Sequence, residues 1–171
     1  MNITLIGMPG AGKSTIGKKL AKKLNYEFID IDRIIEQRTK LTLQQIIDNQ
    51  GDEEFLKIEQ EAVLELGKLK NYVISPGGSV LHLPKAMRFL KENSVVVFLD
   101  ISFANIQKRL RDQSTRGIVG IKGKNLKTIF QERQILYKKY AEVIVSIADD
   151  FAADLTVENI IRKIQYPLAS K

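Results

Sequence analysis

Nine residues near the start of the chain, Gly7-Met8-Pro9-Gly10-Ala11-Gly12-Lys13-Ser14-Thr15, match the spacing G-x-x-x-x-G-K-[ST], in which every fixed position has a use in holding phosphate. Successive backbone N–H groups must wrap an anion closely, and that requires Gly10 and Gly12 to take conformations other residues avoid. Lys13 adds a cation for terminal phosphates, Ser14 offers a hydroxyl to Mg²⁺, and the helix that follows presents its positive N-terminal end. Gly10, Ala11, Gly12, Lys13, Ser14 and Thr15 are therefore expected to bind a nucleoside triphosphate with Mg²⁺. The competing explanation, a chance Gly-rich turn, has to reproduce the spacing, the Lys-Ser pair and the flanking elements together.

Two further clusters carry polar chemistry. In Glu27-Phe28-Ile29-Asp30-Ile31-Asp32 the two aspartates stand two apart at the end of an apolar run. In an extended chain such residues point the same way, so both can aim at one point outside the carboxyl end of a sheet. One, Asp30, can hold the water shell of Mg²⁺, while Asp32 is free to accept a proton or a hydrogen bond from an attacking hydroxyl. Both also fit as the N-cap and first-turn acid of a helix beginning near Arg33, and capping does not exclude catalysis. The second cluster, Ser75-Pro76-Gly77-Gly78-Ser79, either lets a second ligand approach the backbone or makes a tight strand-to-helix turn. Taken alone, Arg116 and Arg133 read as surface charges, and His82 as a surface or capping histidine.

These residues need elements to position them. Strand-length apolar runs occur at 2–7, 26–29, 72–75, 95–100 and 142–147, β-branched and in several cases apolar on both faces, as parallel strands covered by helices should be. Between them lie stretches of helical periodicity, clearest over 53–69, where Phe55, Ile58, Ala62, Leu66 and Leu69 fall three or four apart. Strand and helix alternate throughout. The pattern predicts an α/β fold with a five-stranded parallel sheet flanked by helices on both faces. No repeat or linker divides the chain, so residues 1–171 are expected to form one domain. The Gly-rich polar loop at 116–125, with Gly117, Gly120 and Gly123, is a mobile lid or plain surface.

Composition narrows the function classes. With 44% hydrophobic and 27% charged residues the chain reads as an ordinary globular protein. The absence of cysteine excludes disulfides and thiolate metal sites and agrees with a cytoplasmic setting. The first apolar run, 2–8, lacks a basic flank and is too short for a leader or a membrane span, so no membrane association is expected. A net charge of +7 allows an anionic partner. The basic residues are spread along helices without interleaved aromatics, which favours a phosphate-bearing small molecule over nucleic acid. A monomer is expected, with a dimer left open.

Taken together, these features resemble the shikimate kinases, a branch of the P-loop kinases related to the nucleoside-monophosphate kinases, over about residues 1–165. The resemblance implies an ATP- and Mg²⁺-dependent kinase that phosphorylates a hydroxyl of a small metabolite, with a mobile lid at about 112–125. The family's D-x-D falls on Asp30-Ile31-Asp32, the first acid assisting Mg²⁺ and the second binding ring hydroxyls. Its G-E-x-x-F-R-x-x-E segment is similar to Gly51–Glu59, with Phe55 packing at the substrate and Glu59 as the acid. Its glycine triplet falls on Pro76-Gly77-Gly78. An adenine-stacking arginine falls on Arg109, the lid arginine on Arg116, and an arginine that grips the substrate carboxylate on Arg133. Lys13, Asp32 and Arg116 are thus the expected catalytic residues.

The chain also departs from the family pattern. A second carboxylate-gripping arginine of that family falls on Leu56 here. A charge-assisted bond is worth roughly 1.5–3 kcal/mol, so its absence should weaken shikimate binding about tenfold to a hundredfold. Lys57 is adjacent, but one helical residue turns its side chain about 100° away. Pro76 removes a backbone N–H from the glycine cluster, and the lid reads Arg116-Gly117-Ile118 where the family has R-P-L. Three readings follow: a kinase of shikimate, a kinase of another hydroxylated metabolite or nucleoside, or an inactive nucleotide-binding protein acting through a partner.

Overall fold

The most continuously apolar runs become the middle of a parallel sheet. The computed structural model describes residues 1–111, 124–148 and 152–165. In chain order the elements are β1 (Ile3–Ile6), α1 (Lys13–Leu24), β2 (Glu27–Asp30), α2 (Ile31–Thr39), α3 (Leu43–Leu64), β3 (Tyr72–Ser75), a 3-10 turn (Val80–His82), α4 (Pro84–Asn93), β4 (Val95–Asp100), α5 (Phe103–Arg111), α6 (Leu126–Tyr140), β5 (Val143–Ser146) and α7 (Ala153–Gln165). The strands lie in the order β2-β3-β1-β4-β5, every neighbouring pair parallel. All four residues of β1 are buried although successive side chains face opposite ways, so both faces of the sheet are covered. The edge strands differ. β2 is partly exposed and β5 alternates buried with exposed, as strands with one open side should.

Helix boundaries follow local chemistry. Gly12, at φ 94°, is the left-handed residue from which α1 springs, and Asn25, at φ 55°, closes it. Thr42 and Gln45 form a reciprocal capping box that starts α3 well before the periodic stretch. Gly51, at φ 84° and ψ 170°, breaks α3 between that start and the turns carrying Phe55 and Glu59. The helix expected over 53–69 therefore begins earlier and stops at Leu64. Leu66 and Leu69 pack on the core from the chain after it, so their helical spacing reports burial and not helix.

A helix boundary separates the two aspartates. β2 ends at Asp30, and α2 begins at Ile31, two residues before Arg33. Asp32 consequently sits in the first turn of a helix, and the period-two argument that aimed both carboxylates at one point does not apply.

The carboxyl ends of the strands gather the remaining pieces. Asp30 pairs in register with Ser75, which brings the end of β2 beside the start of the Pro76-Gly77-Gly78 loop. β1 sends its chain toward β2 while its neighbour β4 sends its chain toward β5. The crevice of a parallel sheet opens where adjacent connections diverge in this way. Among the described residues no helix is long and apolar enough to cross a membrane.

Candidate active site

The loop between β1 and α1 is built around two left-handed glycines, Gly10 at φ 82° and Gly12 at φ 94°. Its turn is closed by the Ala11 N–H donating to the Met8 carbonyl at 3.0 Å. Lys13 is almost fully buried, and its Nζ donates to the carbonyls of Gly7 at 2.9 Å and Met8 at 3.2 Å, which holds the ammonium over the loop. From α5, Arg109 donates to the Gly10 carbonyl at 3.0 Å. Thr15 is exposed in the first turn of α1.

Ser14 donates from Oγ to Asp30 Oδ2 at 2.7 Å. Asp30 occupies the N-cap position of α2 yet makes no side-chain cap bond, so its carboxylate serves Ser14 and not the helix. This pair of hard oxygen ligands fits Mg²⁺, which takes one or two protein oxygens and completes its shell with phosphates and water. Among the described residues no three His, Asp or Glu side chains gather into a metal cage.

A second constellation abuts the first. The backbone of Gly77 lies so close to two acids that an added Cβ would stand 2.4 Å from Glu59 Oε1 and 2.9 Å from Asp32 Oδ1. At Gly78 a Cβ would meet Pro9 Cδ of the phosphate loop at 2.7 Å and an Arg133 guanidinium nitrogen at 3.1 Å. These two glycines are therefore needed for close approach rather than for an unusual φ. Arg133, 2% exposed, and Tyr137, one turn later on α6, share the face that meets them. Tyr137 donates to the Gly78 carbonyl at 3.0 Å and stacks on Phe98 of β4 with centroids 4.9 Å apart. Burial pushes its phenol far above the ordinary range, so it stays neutral. Phe55 lies one turn before Glu59 and is buried in the core.

Glu59 has no exposed surface, and Ser79 donates to its Oε2 at 2.5 Å. Its carboxyl is pushed up to about 7 from an ordinary 4.5, by burial first and then by the carboxylate of Asp32, against the pull of Ser79, Arg133 and Lys13. The folded chain holds this proton up to about 7 while the unfolded chain releases it near 4.5, so the stability it supports is full below 4.5 and is lost as pH rises to 7. Glu59→Gln, neutral throughout, should gain roughly 3 kcal/mol on the parent protein across that window. Urea midpoints at a series of pH values read this difference, and parallel pH curves for the two proteins would contradict it.

Asp32, Glu59, Gly77, Gly78 and Arg133 are thus brought together, next to a group made of Gly10, Gly12, Lys13, Ser14, Asp30 and Arg109. Arg116 and the lid expected at 112–125 lie outside the described residues, apart from Lys124 and Asn125, the latter the N-cap of α6. Leu56 is half-buried and packs against the core, and Lys57 turns to solvent and pairs with Glu54 at 3.0 Å. Ser79 and Tyr137 carried no assigned role in the sequence. Ser79 lay inside the glycine cluster, and Tyr137 stands four residues after Arg133, on the same helix face.

A family model for shikimate kinase matches residues 9–165. The chain belongs to the shikimate kinase family. A shikimate kinase of Caldicellulosiruptor saccharolyticus is 38% identical over 162 residues, covering 94% of this chain and 93% of that one. One from Francisella tularensis subsp. novicida is 37% identical, covering 95% and 92%. Among solved structures, the shikimate kinase of Acinetobacter baumannii in complex with shikimate superposes with a TM-score of 0.88 at 29% identity, covering 97% of this chain and 93% of that one. The Aquifex aeolicus shikimate kinase gives 0.85 at 31% identity and covers all of both chains. Membership makes this protein an ATP-using small-molecule kinase with the P-loop kinase fold that the resemblance implied, built on the α/β parallel sheet that the alternation of elements predicted.

Proposed function

We propose that the protein transfers the terminal phosphoryl group of ATP to a ring hydroxyl of shikimate, giving shikimate 3-phosphate. The observation that carries this reading is the meeting of Asp32, Glu59 and Arg133 at Gly77-Gly78, directly against Pro9 of the phosphate loop. An acid for a hydroxyl and a buried cation for a carboxylate stand beside a triphosphate cradle. Family membership favours shikimate over another metabolite, and over a protein that only binds nucleotide.

In this reading Lys13 and Arg116 neutralise charge developing on the transferred group, and Arg109 lies against the adenine. Ser14 and Asp30 would hold Mg²⁺, which supplies charge neutralisation at the terminal phosphates when bound. Asp32 orients the acceptor hydroxyl for in-line attack and accepts its proton. Arg133 grips the acceptor's carboxylate, and the backbone of Gly77-Gly78 lets the ring lie close. The lid at 112–125 excludes water, because an open site would hydrolyse ATP. The whole chain acts as one domain, a monomer with no nucleic-acid or membrane partner, in the cytoplasm.

A coupled assay of ADP release tests the reading. Turnover with shikimate that requires Mg²⁺ is expected, and ADP release with other polyols or nucleosides but not with shikimate would overturn it. Gly77→Ala forces a methyl group into the two acids. It should raise the KM for shikimate tenfold or more while moving the KM for ATP less than about twofold, since overpacking costs about 1–3 kcal/mol at the site of the clash. Equal effects on both substrates would count against the placement of the acceptor. Leu56→Arg, which supplies the cation that the family pattern has there, should lower the KM for shikimate by about tenfold. An unchanged KM would mean that this position does not face the acceptor.

A further inference from the structure

Glu59 is a buried acid with one oxygen provided for and one not. Oε2 receives the Ser79 hydroxyl at 2.5 Å, while the buried Oε1 has no hydrogen-bond partner among the described residues. On a helix, a cation three or four residues away can serve as an acid's counter-ion. Three residues earlier on α3 stands Leu56, packed on the core. The groups that face Glu59 come from several other elements: Lys13 of α1, Asp32 of α2, Ser79 after β3, and Arg133 and Tyr137 of α6. Tyr137 is neutral, Asp32 disfavours a second negative charge, and the two cations are the ones proposed to serve the phosphates and the acceptor's carboxylate. An ionised Glu59 therefore has to compete with the substrates for its own stabilisation.

We propose that Glu59 is a proton-dependent positioning residue for the acceptor's carboxylate: neutral, it leaves the charge of Arg133 to the acceptor, and ionised, it draws on that charge and repels the incoming anion. The inference rests on the reading of the acceptor as shikimate. It makes the binding of a carboxylate-bearing acceptor take up a proton at the pH where Glu59 is partly ionised, which burial has moved to near neutrality. The titration of His82 is lowered by burial and by Arg133, away from the pH at which Glu59 changes charge.

The test is calorimetry of shikimate binding at about pH 7.5 in buffers of different ionisation enthalpy, paired with steady-state KM values from about pH 6 to about pH 8. In the natural protein, binding should take up a fraction of a proton, and the KM for shikimate should rise on the order of tenfold across the range while that for ATP does not follow it. Shikimate methyl ester, which lacks the charge, should bind without proton uptake. Glu59→Gln should bind shikimate without uptake and with a flat KM. Shikimate binding with no proton uptake in the natural protein overturns the inference, as does an uptake that survives in Glu59→Gln. Failure to bind or phosphorylate shikimate at any pH is a different result, which overturns the proposed function instead.

Discussion

Lys13→Met is expected to lower kcat by roughly a thousandfold, at the upper end of what removing one transition-state charge donor costs. The Lys13 ammonium is held over the phosphate loop by the Gly7 and Met8 carbonyls. Methionine has a similar unbranched stem and good helix propensity, so α1 should form as before. What disappears is the point charge, together with two hydrogen bonds to loop carbonyls whose net worth is about 1 kcal/mol each. Circular dichroism like that of the parent and a melting point lower by about 4–8 °C, with ADP release near background, are the expected results. Turnover within tenfold of the parent would mean that the loop is not where the transferred phosphoryl group sits.

Asp32→Asn is expected to lower kcat by about a hundredfold. General-base groups contribute about 10²–10⁴. Phosphoryl transfer passes through a loose transition state in which the attacking hydroxyl is little deprotonated, so the low end of that range applies. Asparagine keeps the shape of Asp32 against Gly77 and retains an acceptor for a hydroxyl hydrogen bond, but it cannot take the proton. The effect should therefore fall on kcat, with the KM for ATP unmoved. An Asp30→Asn control separates the two acids: Asp30 holds the Ser14 hydroxyl at 2.7 Å, so its loss should show mainly in the Mg²⁺ concentration needed for half-maximal rate. If Asp32→Asn retains the parent kcat, the acid chosen as base is the wrong one.

Much of this site was legible before any coordinate. The phosphate loop is contiguous, and its function depends on residue types at fixed spacing, so Gly10, Gly12, Lys13 and Ser14 could be named from the string alone. The five strands were also legible as short apolar runs, most clearly where both faces are buried, as in β4. Resemblance to a family added Arg133 and Glu59, which composition would have left as ordinary helix charges. Neither Ser79 nor Tyr137 was singled out, since a serine beside glycines and a tyrosine in a helix are unremarkable until the element facing them is known.

What the sequence by itself determined was therefore the triphosphate chemistry and the layered fold, both written in local patterns of spacing and hydrophobic period. What only the tertiary structure decided was how the acids divide their work. Asp30 and Asp32 read as a parallel pair, but the helix begins between them, turning one toward Ser14 and the other toward Gly77. Likewise no pattern around Glu59 says that it is dry, since burial and the field of Asp32, Arg133 and Lys13 come from residues distant in the chain. Electrostatic environments are sums over space, and the order of residues along a chain does not contain them until folding brings the charges together.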